Sequence, residues 1–147
     1  MQIHHYIVLA FLVFITGCST SGSVAQTKTA TNLVQQIDTS KVDAVKISTL
    51  HDSFLRSRDV SPHNETVVEV TGEVVAYALT ENNLYTVTLR DSESDAICVF
   101  DESISANIGD GRKICRGAMI TVRGQCFATG LFSSNPFSLD GCQIVEN

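Results

Sequence analysis

The clearest pattern of apolar and polar positions lies in residues 66–78, TVVEVTGEVVAYA. Its two-residue period predicts a β-strand with one buried face. Gly72 in the centre favours a bend, so that the strand can pair with one neighbour along its first half and another along its second. The predicted buried face carries Val68, Val70, Val74 and Ala76, and the opposite face carries Glu69, Thr71, Glu73 and Tyr77.

After this strand, short apolar runs alternate with polar turns. Further strands are predicted at residues 84–90, 96–100, 118–128 and 135–145, with a short helix at 102–108. Polar residues at 81–83 and 91–95 predict two of the turns. A three-stranded meander, a helix in the third connection and two more strands are the order of an OB-fold. We therefore predict an all-β domain with small α content, a five-stranded OB-fold barrel.

Before the strands, apolar residues recur at roughly helical spacing. Thr39 and Ser40 are good N-cap residues, and Asp43 completes a partial capping box with Ser40. We predict one amphipathic helix, Lys41–Arg58, that packs on the barrel. Its apolar residues are Val42, Val45, Ile47, Leu50, Phe54 and Leu55.

The amino-terminal part of the sequence has the pattern of an export signal. Tyr6–Ile15 is an unbroken apolar run, too short to span a bilayer as a helix. It leads into Ile15-Thr16-Gly17-Cys18, which resembles the lipobox of bacterial lipoproteins. The resemblance implies cleavage before Cys18, three acyl chains on the new terminus and membrane anchoring. Residues 1–5 lack Lys and Arg, and an ordinary secretory signal with a chance cysteine is the alternative.

By the same resemblance, Ser19 in place of Asp points to the outer membrane, facing the periplasm. Residues 19–32 are rich in Ser and Thr and predict a flexible linker. The predicted organisation is a signal peptide at 1–17, a lipidated cysteine and linker at 18–40, and the OB-fold domain with its helix at 41–147.

Four successive segments resemble the strand motifs of the tRNA_anti-like family of bacterial OB-fold domains. They are VEVTGEV at 68–74, ICVF at 97–100, ITVRGQC at 120–126 and LDGCQIV at 139–145. The resemblance covers residues 41–145 and implies the OB-fold and an exported or lipidated protein. The family name records a fold similarity to anticodon-binding domains, and most members have no assigned activity, so the resemblance implies little about the ligand.

The charge balance argues against nucleic acid as a partner. The chain has 10 Lys and Arg against 16 Asp and Glu, a net charge of −6, whereas phosphate backbones are bound by clustered basic residues. No serine lies in a G-x-S-x-G motif, and the glycines near Lys113 lack P-loop spacing. We expect a non-catalytic protein without cofactor or metal. Asp91, Glu93 and Asp95 form an acidic turn that could contact Ca²⁺, although it lacks the features of an EF-hand.

Besides Cys18, the chain contains four cysteines, an even number that suggests two disulfides in an exported domain. A hairpin centred on Ser133–Ser134 would place Cys126 opposite Cys142, within bridging range. We therefore predict the pairs Cys126–Cys142 and Cys98–Cys115. The spacing contains no C-x-x-C, which disfavours zinc.

OB-folds commonly bind ligands on the face of their second and third strands and the flanking loops. The first hypothesis is a lipid-anchored envelope module that binds a protein or an envelope polymer. Alternatives are a periplasmic stress protein that binds a small molecule or cation and, least favoured, an oligonucleotide binder. The candidate binding residues are Tyr77, Tyr85, Arg90, Phe127, Leu131, Phe132 and Phe137, although they could instead cap the core.

Overall fold

The computed structural model describes residues 23–146. It contains two α-helices, six β-strands and three short 3₁₀ helices. The helices are α1 (Val24–Gln36) and α2 (Ile47–Ser57). The strands are β1 (Asp43–Ala44), β2 (Val67–Leu79), β3 (Tyr85–Asp91), β4 (Ser94–Phe100), β5 (Met119–Ala128) and β6 (Phe137–Ile144). The 3₁₀ helices are Thr39–Lys41, Arg58–Val60 and Glu102–Asn107.

The five long strands form a closed barrel. Their order is β2-β3-β4-β6-β5, and β2 also pairs with β5, which closes the sheet. Only the β4–β6 pair is parallel among these. The short β1 lies beside β2 as an added parallel strand. This is the connectivity predicted for a five-stranded OB-fold, and each predicted strand is present within about two residues of its expected bounds.

Strand β2 is bent and shared between two neighbours, as predicted. Its first half, from Val67 to Glu73, pairs with β5, and its second half, from Glu73 to Leu79, pairs with β3. The change of partner occurs beside Gly72. A Cβ atom there would lie 3.0 Å from the backbone oxygen of Arg90 and 3.0 Å from the Ile47 side chain. The missing side chain therefore allows helix α2 and β3 to close on the bend.

One face assignment in β2 is wrong. The pairing with β3 contains a β-bulge between Val74 and Ala76, which inserts Val75 as an extra residue. A bulge reverses the in–out alternation beyond it. Tyr77 consequently packs against the hydrophobic core and is half-buried, instead of sharing the polar face of Glu69 and Thr71.

Helix α2 packs against the barrel core through Ile47, Leu50 and Phe54, which are fully buried. The ring of Phe54 stacks on that of Phe137 at 5.3 Å between centroids. The helix begins six residues later than predicted. The Asp91 carboxylate accepts a hydrogen bond from the Ser48 backbone N–H at 3.1 Å, so the helix is capped from the end of β3 and not by Ser40.

The predicted flexible linker is wrong for residues 24–32, which form the first part of helix α1. Ser23 caps this helix by accepting a hydrogen bond from the Gln26 backbone N–H at 3.1 Å. Small and polar residues on one face, including Ala30 and Thr27, are buried against the barrel. The segment orders because it has a surface to pack on, not because of its own hydrophobicity.

The predicted disulfides are also wrong, since the four cysteines of the described residues are free thiols. Cys126 lies opposite Leu139, not Cys142, because the hairpin turns earlier than Ser133–Ser134. The Cys142 sulfur instead occupies the space above Gly124, where a Cβ atom would lie 2.7 Å from it. Burial raises the pKa of Cys126 and of Cys142 well above the ordinary thiol value, which disfavours the reactive thiolate form.

Candidate binding site

Helix α1 lies directly on strand β6, and Gly141 makes this contact possible. Gly141 has φ +62°, a conformation that side chains disfavour. A Cβ atom at this position would lie 2.2 Å from the backbone nitrogen of Thr31 and 2.8 Å from the Ala30 side chain. The helix backbone therefore occupies the volume that any other residue would need for its side chain.

A buried carboxyl group lies in the same interface. Asp140 is inaccessible to solvent. Its carboxyl oxygens accept hydrogen bonds from Gln26 Nε2 at 2.7 Å and from Ser138 Oγ at 3.3 Å. Burial raises the pKa of Asp140, and these two hydrogen bonds oppose that shift in part. Helix α1 is thus joined to the barrel through the carboxyl group of Asp140, which is buried away from water.

On one side of α1, a cleft of about 550 Å³ opens between the helix, the β2–β3 turn and the 3₁₀ helix after β4. This volume lies within the range of ligand sites in proteins. Helix α1 contributes Val24, Thr27, Lys28, Thr31, Asn32 and Gln35. The turn contributes Asn82, Asn83 and Leu84, and the 3₁₀ helix contributes Asp101, Glu102 and Ser103.

Hydrogen bonds hold both loop walls of the cleft in place. In the β2–β3 turn, the Asn83 N–H donates to the Thr80 backbone oxygen at 3.1 Å, and the Thr80 N–H donates to that of Leu84 at 2.8 Å. Asp101 caps the 3₁₀ helix by accepting from the Ser103 backbone N–H at 3.0 Å. The lining is therefore largely pre-formed.

Thr27 is a buried polar residue in the lining of this cleft. The residue is 1% exposed, and its hydroxyl has no hydrogen-bond partner within residues 23–146. A buried hydroxyl without a partner destabilises the fold by about 1–3 kcal/mol. Such groups occur where a ligand or an ordered water completes the hydrogen bonding.

The cleft offers many hydrogen-bonding groups and little net charge. Four amide side chains line it, with one lysine and two carboxylates. Amides both donate and accept hydrogen bonds, and carboxylates accept them. Leu84 and Val24 add apolar contact area. This arrangement suits a neutral ligand that carries hydroxyl and amide groups, and it is poorly suited to a phosphate backbone. The amides are Asn32, Gln35, Asn82 and Asn83.

The structure does not bring the predicted binding residues together on one face. Tyr77 and Tyr85 are half-buried and pack against the core. Arg90 lies at the other end of β3, where its guanidinium donates two hydrogen bonds to Asp95 at 2.6 and 2.8 Å. The three residues therefore support the barrel or pair locally.

The aromatic residues of the last hairpin separate in a similar way. Phe137 is buried in the core. Phe127 is half-buried beside Ala25 and Thr29 of helix α1. Leu131 and Phe132 lie in the β5–β6 loop and are 73% and 101% exposed. Of these four residues, only Leu131 and Phe132 are largely exposed.

The acidic turn does not form a converging set of ligands. Asp91 caps helix α2, and Asp95 pairs with Arg90, whose hydrogen bonds lower the pKa of that carboxyl. Residues 23–146 contain no cluster of three His, Cys, Asp or Glu side chains placed to hold a metal ion. The alternative of a cation site at this turn thus gains no support.

Sequence reasoning missed the helix α1 side of the cleft entirely. The polar composition of residues 24–35 resembles that of a linker, and the contact with Gly141 depends on a residue more than a hundred positions away. One local signal was present. Ser23, followed by a run without Gly or Pro as far as Asp38, is typical of a capped helix.

Comparison with solved structures shows the same barrel. A protein described as an aspartyl-tRNA synthetase from Leishmania major Friedlin aligns with 75% of this chain, with a TM-score of 0.52 and 11% sequence identity. The domain is an OB-fold. The aligned part spans 22% of that protein, so the likeness concerns one domain of it.

Two further OB-fold neighbours are more distant. Asparaginyl-tRNA synthetase from Pyrococcus horikoshii aligns with 63% of this chain and 22% of its own, at 12% identity and a TM-score of 0.45. The structure of yeast Stn1 and Ten1 aligns with 80% of this chain and 71% of its own, at 16% identity and a TM-score of 0.46. No protein-family model and no curated protein sequence matches this chain.

The predicted lipidation site, Cys18, and the apolar run Tyr6–Ile15 lie outside the described residues. Within residues 23–146, no helix combines the length and the hydropathy that crossing a bilayer requires.

Proposed function

We propose that this protein is a lipid-anchored, non-catalytic OB-fold module of the bacterial envelope that binds a neutral envelope polymer in the cleft beside helix α1. The lipobox-like sequence ending at Cys18 supports the anchor, and the motif resemblance to the tRNA_anti-like family supports a bacterial exported protein. The observation that carries the binding proposal is the cleft itself, with its amide-rich lining.

The chemistry of the lining selects the class of polymer. Four amides and two carboxylates can hydrogen-bond to hydroxyl and acetamido groups, as carried by an N-acetylated glycan strand. Residues of α1 from Val24 to Gln35 line the cleft, and this length suits an extended chain better than a compact small molecule. Lys28 is the single basic residue among the lining residues, so a polyanion has little to bind.

Oligonucleotide binding is the least favoured alternative. Two of the fold neighbours are tRNA synthetases, but a likeness at 11–12% identity is one of fold. From Glu65 onward this chain has five basic and twelve acidic residues, and such a surface repels phosphates. A gel shift with a single-stranded oligonucleotide at low salt tests the alternative, and we expect none.

An NMR titration with chitotetraose, an oligomer of N-acetylglucosamine, tests the cleft. We expect chemical-shift changes confined to residues 24–35, 82–84 and 101–103. Loss of one ligand hydrogen bond in Gln35→Ala should weaken binding by about 3- to 10-fold. Gln36→Ala is the matched control, since Gln36 is also exposed on α1 but does not line the cleft.

Sedimentation with purified peptidoglycan provides the polymer version of the same test. Retention of the wild-type chain but weaker retention of Gln35→Ala would support the proposal. Absence of binding to both chitotetraose and peptidoglycan, or shift changes elsewhere on the barrel, would contradict it.

Metabolic labelling with palmitate tests the anchor independently of the ligand. The full-length chain should incorporate the label and fractionate with outer membranes, whereas Cys18→Ser should remain unlabelled. Label that persists in Cys18→Ser would show that the lipobox interpretation is wrong.

A further inference from the structure

The β5–β6 loop displays two large apolar side chains to solvent. Phe132 is 101% exposed and Leu131 is 73% exposed. The loop around them is held by backbone hydrogen bonds, from the Thr129 N–H to the Pro136 oxygen at 3.1 Å and from the Ser133 N–H to the Gly130 oxygen at 3.0 Å. The pair is therefore presented from an ordered turn. We call Leu131 and Phe132 the apolar tip.

The surroundings of the apolar tip carry no charge. Residues 124–139 contain no Asp, Glu, Lys or Arg, and this is the longest such run within the described residues. The chain as a whole is acidic, and acidic groups are repelled by the anionic lipids of a membrane surface. An uncharged loop with apolar side chains at its apex is the part of this molecule that can approach lipid without such repulsion.

The structure also shortens the predicted tether. The chain is folded from Ser23 onward, and Ser23 follows Cys18 by only five positions. Five residues span at most ~18 Å even when fully extended. A lipid on Cys18 would thus hold the barrel against the bilayer and not at a distance from it.

The tether and the apolar tip both join the barrel near the end of β5. Ala25 and Gln26, in the first turn of α1, lie beside Phe127 near the end of β5. Phe127 is the last residue but one of β5, the strand that leads into the hairpin loop with the apolar tip. Anchoring at Cys18 therefore brings the membrane to the side of the barrel from which this loop projects.

We propose that the apolar tip inserts into the lipid surface to which the amino terminus is attached, so that the domain is held at the membrane at two points. This inference rests on the anchoring part of the proposed function. It fixes the orientation of the barrel relative to the lipid surface.

Tryptophan fluorescence tests the insertion directly, because the chain contains no Trp. The lipidated, full-length Phe132→Trp variant is reconstituted into vesicles of phosphatidylethanolamine and phosphatidylglycerol, with or without a brominated lipid. We expect blue-shifted emission and at least a twofold loss of intensity with the brominated lipid. Met119→Trp is the matched control, since Met119 is 67% exposed at the opposite end of β5, and its emission should change little.

Equal quenching of the two variants, or none in Phe132→Trp, would overturn the insertion. A blue shift of Phe132→Trp that requires envelope protein and is insensitive to brominated lipid would overturn it in favour of a protein partner. The Cys18→Ser form of Phe132→Trp, mixed with the same vesicles at millimolar lipid, tests the tip without the anchor. Quenching there would show that the tip inserts without the anchor, whereas a wild-type chain that takes up no palmitate label would refute the anchor alone.

Discussion

Helices α1 and α2 both pack on the barrel, but by different means. Helix α2 places the large apolar side chains of Ile47, Leu50 and Phe54 against the barrel core, where they are fully buried. Helix α1 lies on the outer side of β6 and buries mainly small or polar residues, among them Ala30 and Thr27. The first contact depends on side-chain volume and the second on close approach of two backbones.

The difference has a consequence for function. Volume packing can be altered only at a large cost in stability, since the cavity left behind does not collapse completely. A contact by close approach uses few apolar atoms and keeps polar groups such as Asp140 and Thr27 in the interface. The cleft forms along α1, the helix whose contact with the barrel contains these polar groups.

The largest effect is expected at the centre of the α2 contact. Phe54→Ala removes a ring that stacks on Phe137 and should lower the free energy of unfolding by about 3–5 kcal/mol. Urea denaturation followed by circular dichroism measures this. Leu55→Ala, at a neighbouring residue that is 56% exposed, should change stability by less than about 0.5 kcal/mol. Similar effects of the two substitutions would show that α2 is not packed as described.

The next effect tests the α1 contact. Gly141→Ala introduces both a disfavoured φ and an overlap with the Thr31 backbone. We expect a loss of about 2–3 kcal/mol and selective loss of amide protection in α1, while the barrel strands stay protected.

Gly117→Ala is the control that measures the cost of a side chain at positive φ without any steric overlap. Gly117 also has a positive φ, of +85°, but nothing lies within 4 Å of its added Cβ. It should lose about 1 kcal/mol. Equal losses at the two glycines, with α1 still protected, would show that the helix does not lie on Gly141.

The same contrast explains how much the sequence could predict. Period-two alternation and the bend at Gly72 identified the five strands and their order, because these signals are local and each strand has one buried face. Helix α2 was recognised from its large apolar residues, although its start depends on a cap from Asp91 that lies 43 positions away. A cap supplied by such a distant residue cannot be recognised from the sequence around the helix.

Helix α1, the cleft and the cysteine environments could not be predicted in this way. The burial of Ala30 depends on an empty position at Gly141, and the location of Cys142 depends on another at Gly124. Bulges at Val75 and near Gly124 shift the register of their strands. A shift of this kind changes which residues face each other without changing the apolar pattern that precedes it.

The buried carboxyl group between α1 and the barrel should also make the stability of the protein depend on pH. Burial raises the folded-state pKa of Asp140 above its ordinary value, so the folded protein favours the protonated carboxyl. The stability contributed by protonation is present below the unfolded-state pKa. It is lost as the pH rises through the folded-state pKa. Asp140→Asn should therefore gain stability relative to wild type as pH is raised from 3 to 7, as measured by urea denaturation.

Asp38 is the control, because its pKa is shifted in the opposite direction to that of Asp140. Hydrogen bonds from Ser40 lower the pKa of Asp38, so its small contribution is present at neutral pH and lost on acidification. Asp38→Asn should lose stability relative to wild type as pH rises. A difference between Asp140→Asn and wild type that is independent of pH would show that Asp140 is not buried against α1.

The smallest effect concerns the unpartnered hydroxyl on α1. Thr27→Val keeps the shape of the side chain and removes a buried group that has no hydrogen-bond partner. We expect the free energy of unfolding to rise by about 1 kcal/mol in the absence of ligand. Because this hydroxyl is buried, binding of chitotetraose should change little while the fold becomes more stable. Thr29→Val on the exposed side of α1 is the control. Its hydroxyl already donates to the Ala25 backbone oxygen at 3.0 Å, so no gain in stability is expected there. Loss of stability in Thr27→Val would mean that the hydroxyl has a partner in solution, and α1 would then be fixed by polar contacts as fully as α2 is fixed by apolar ones.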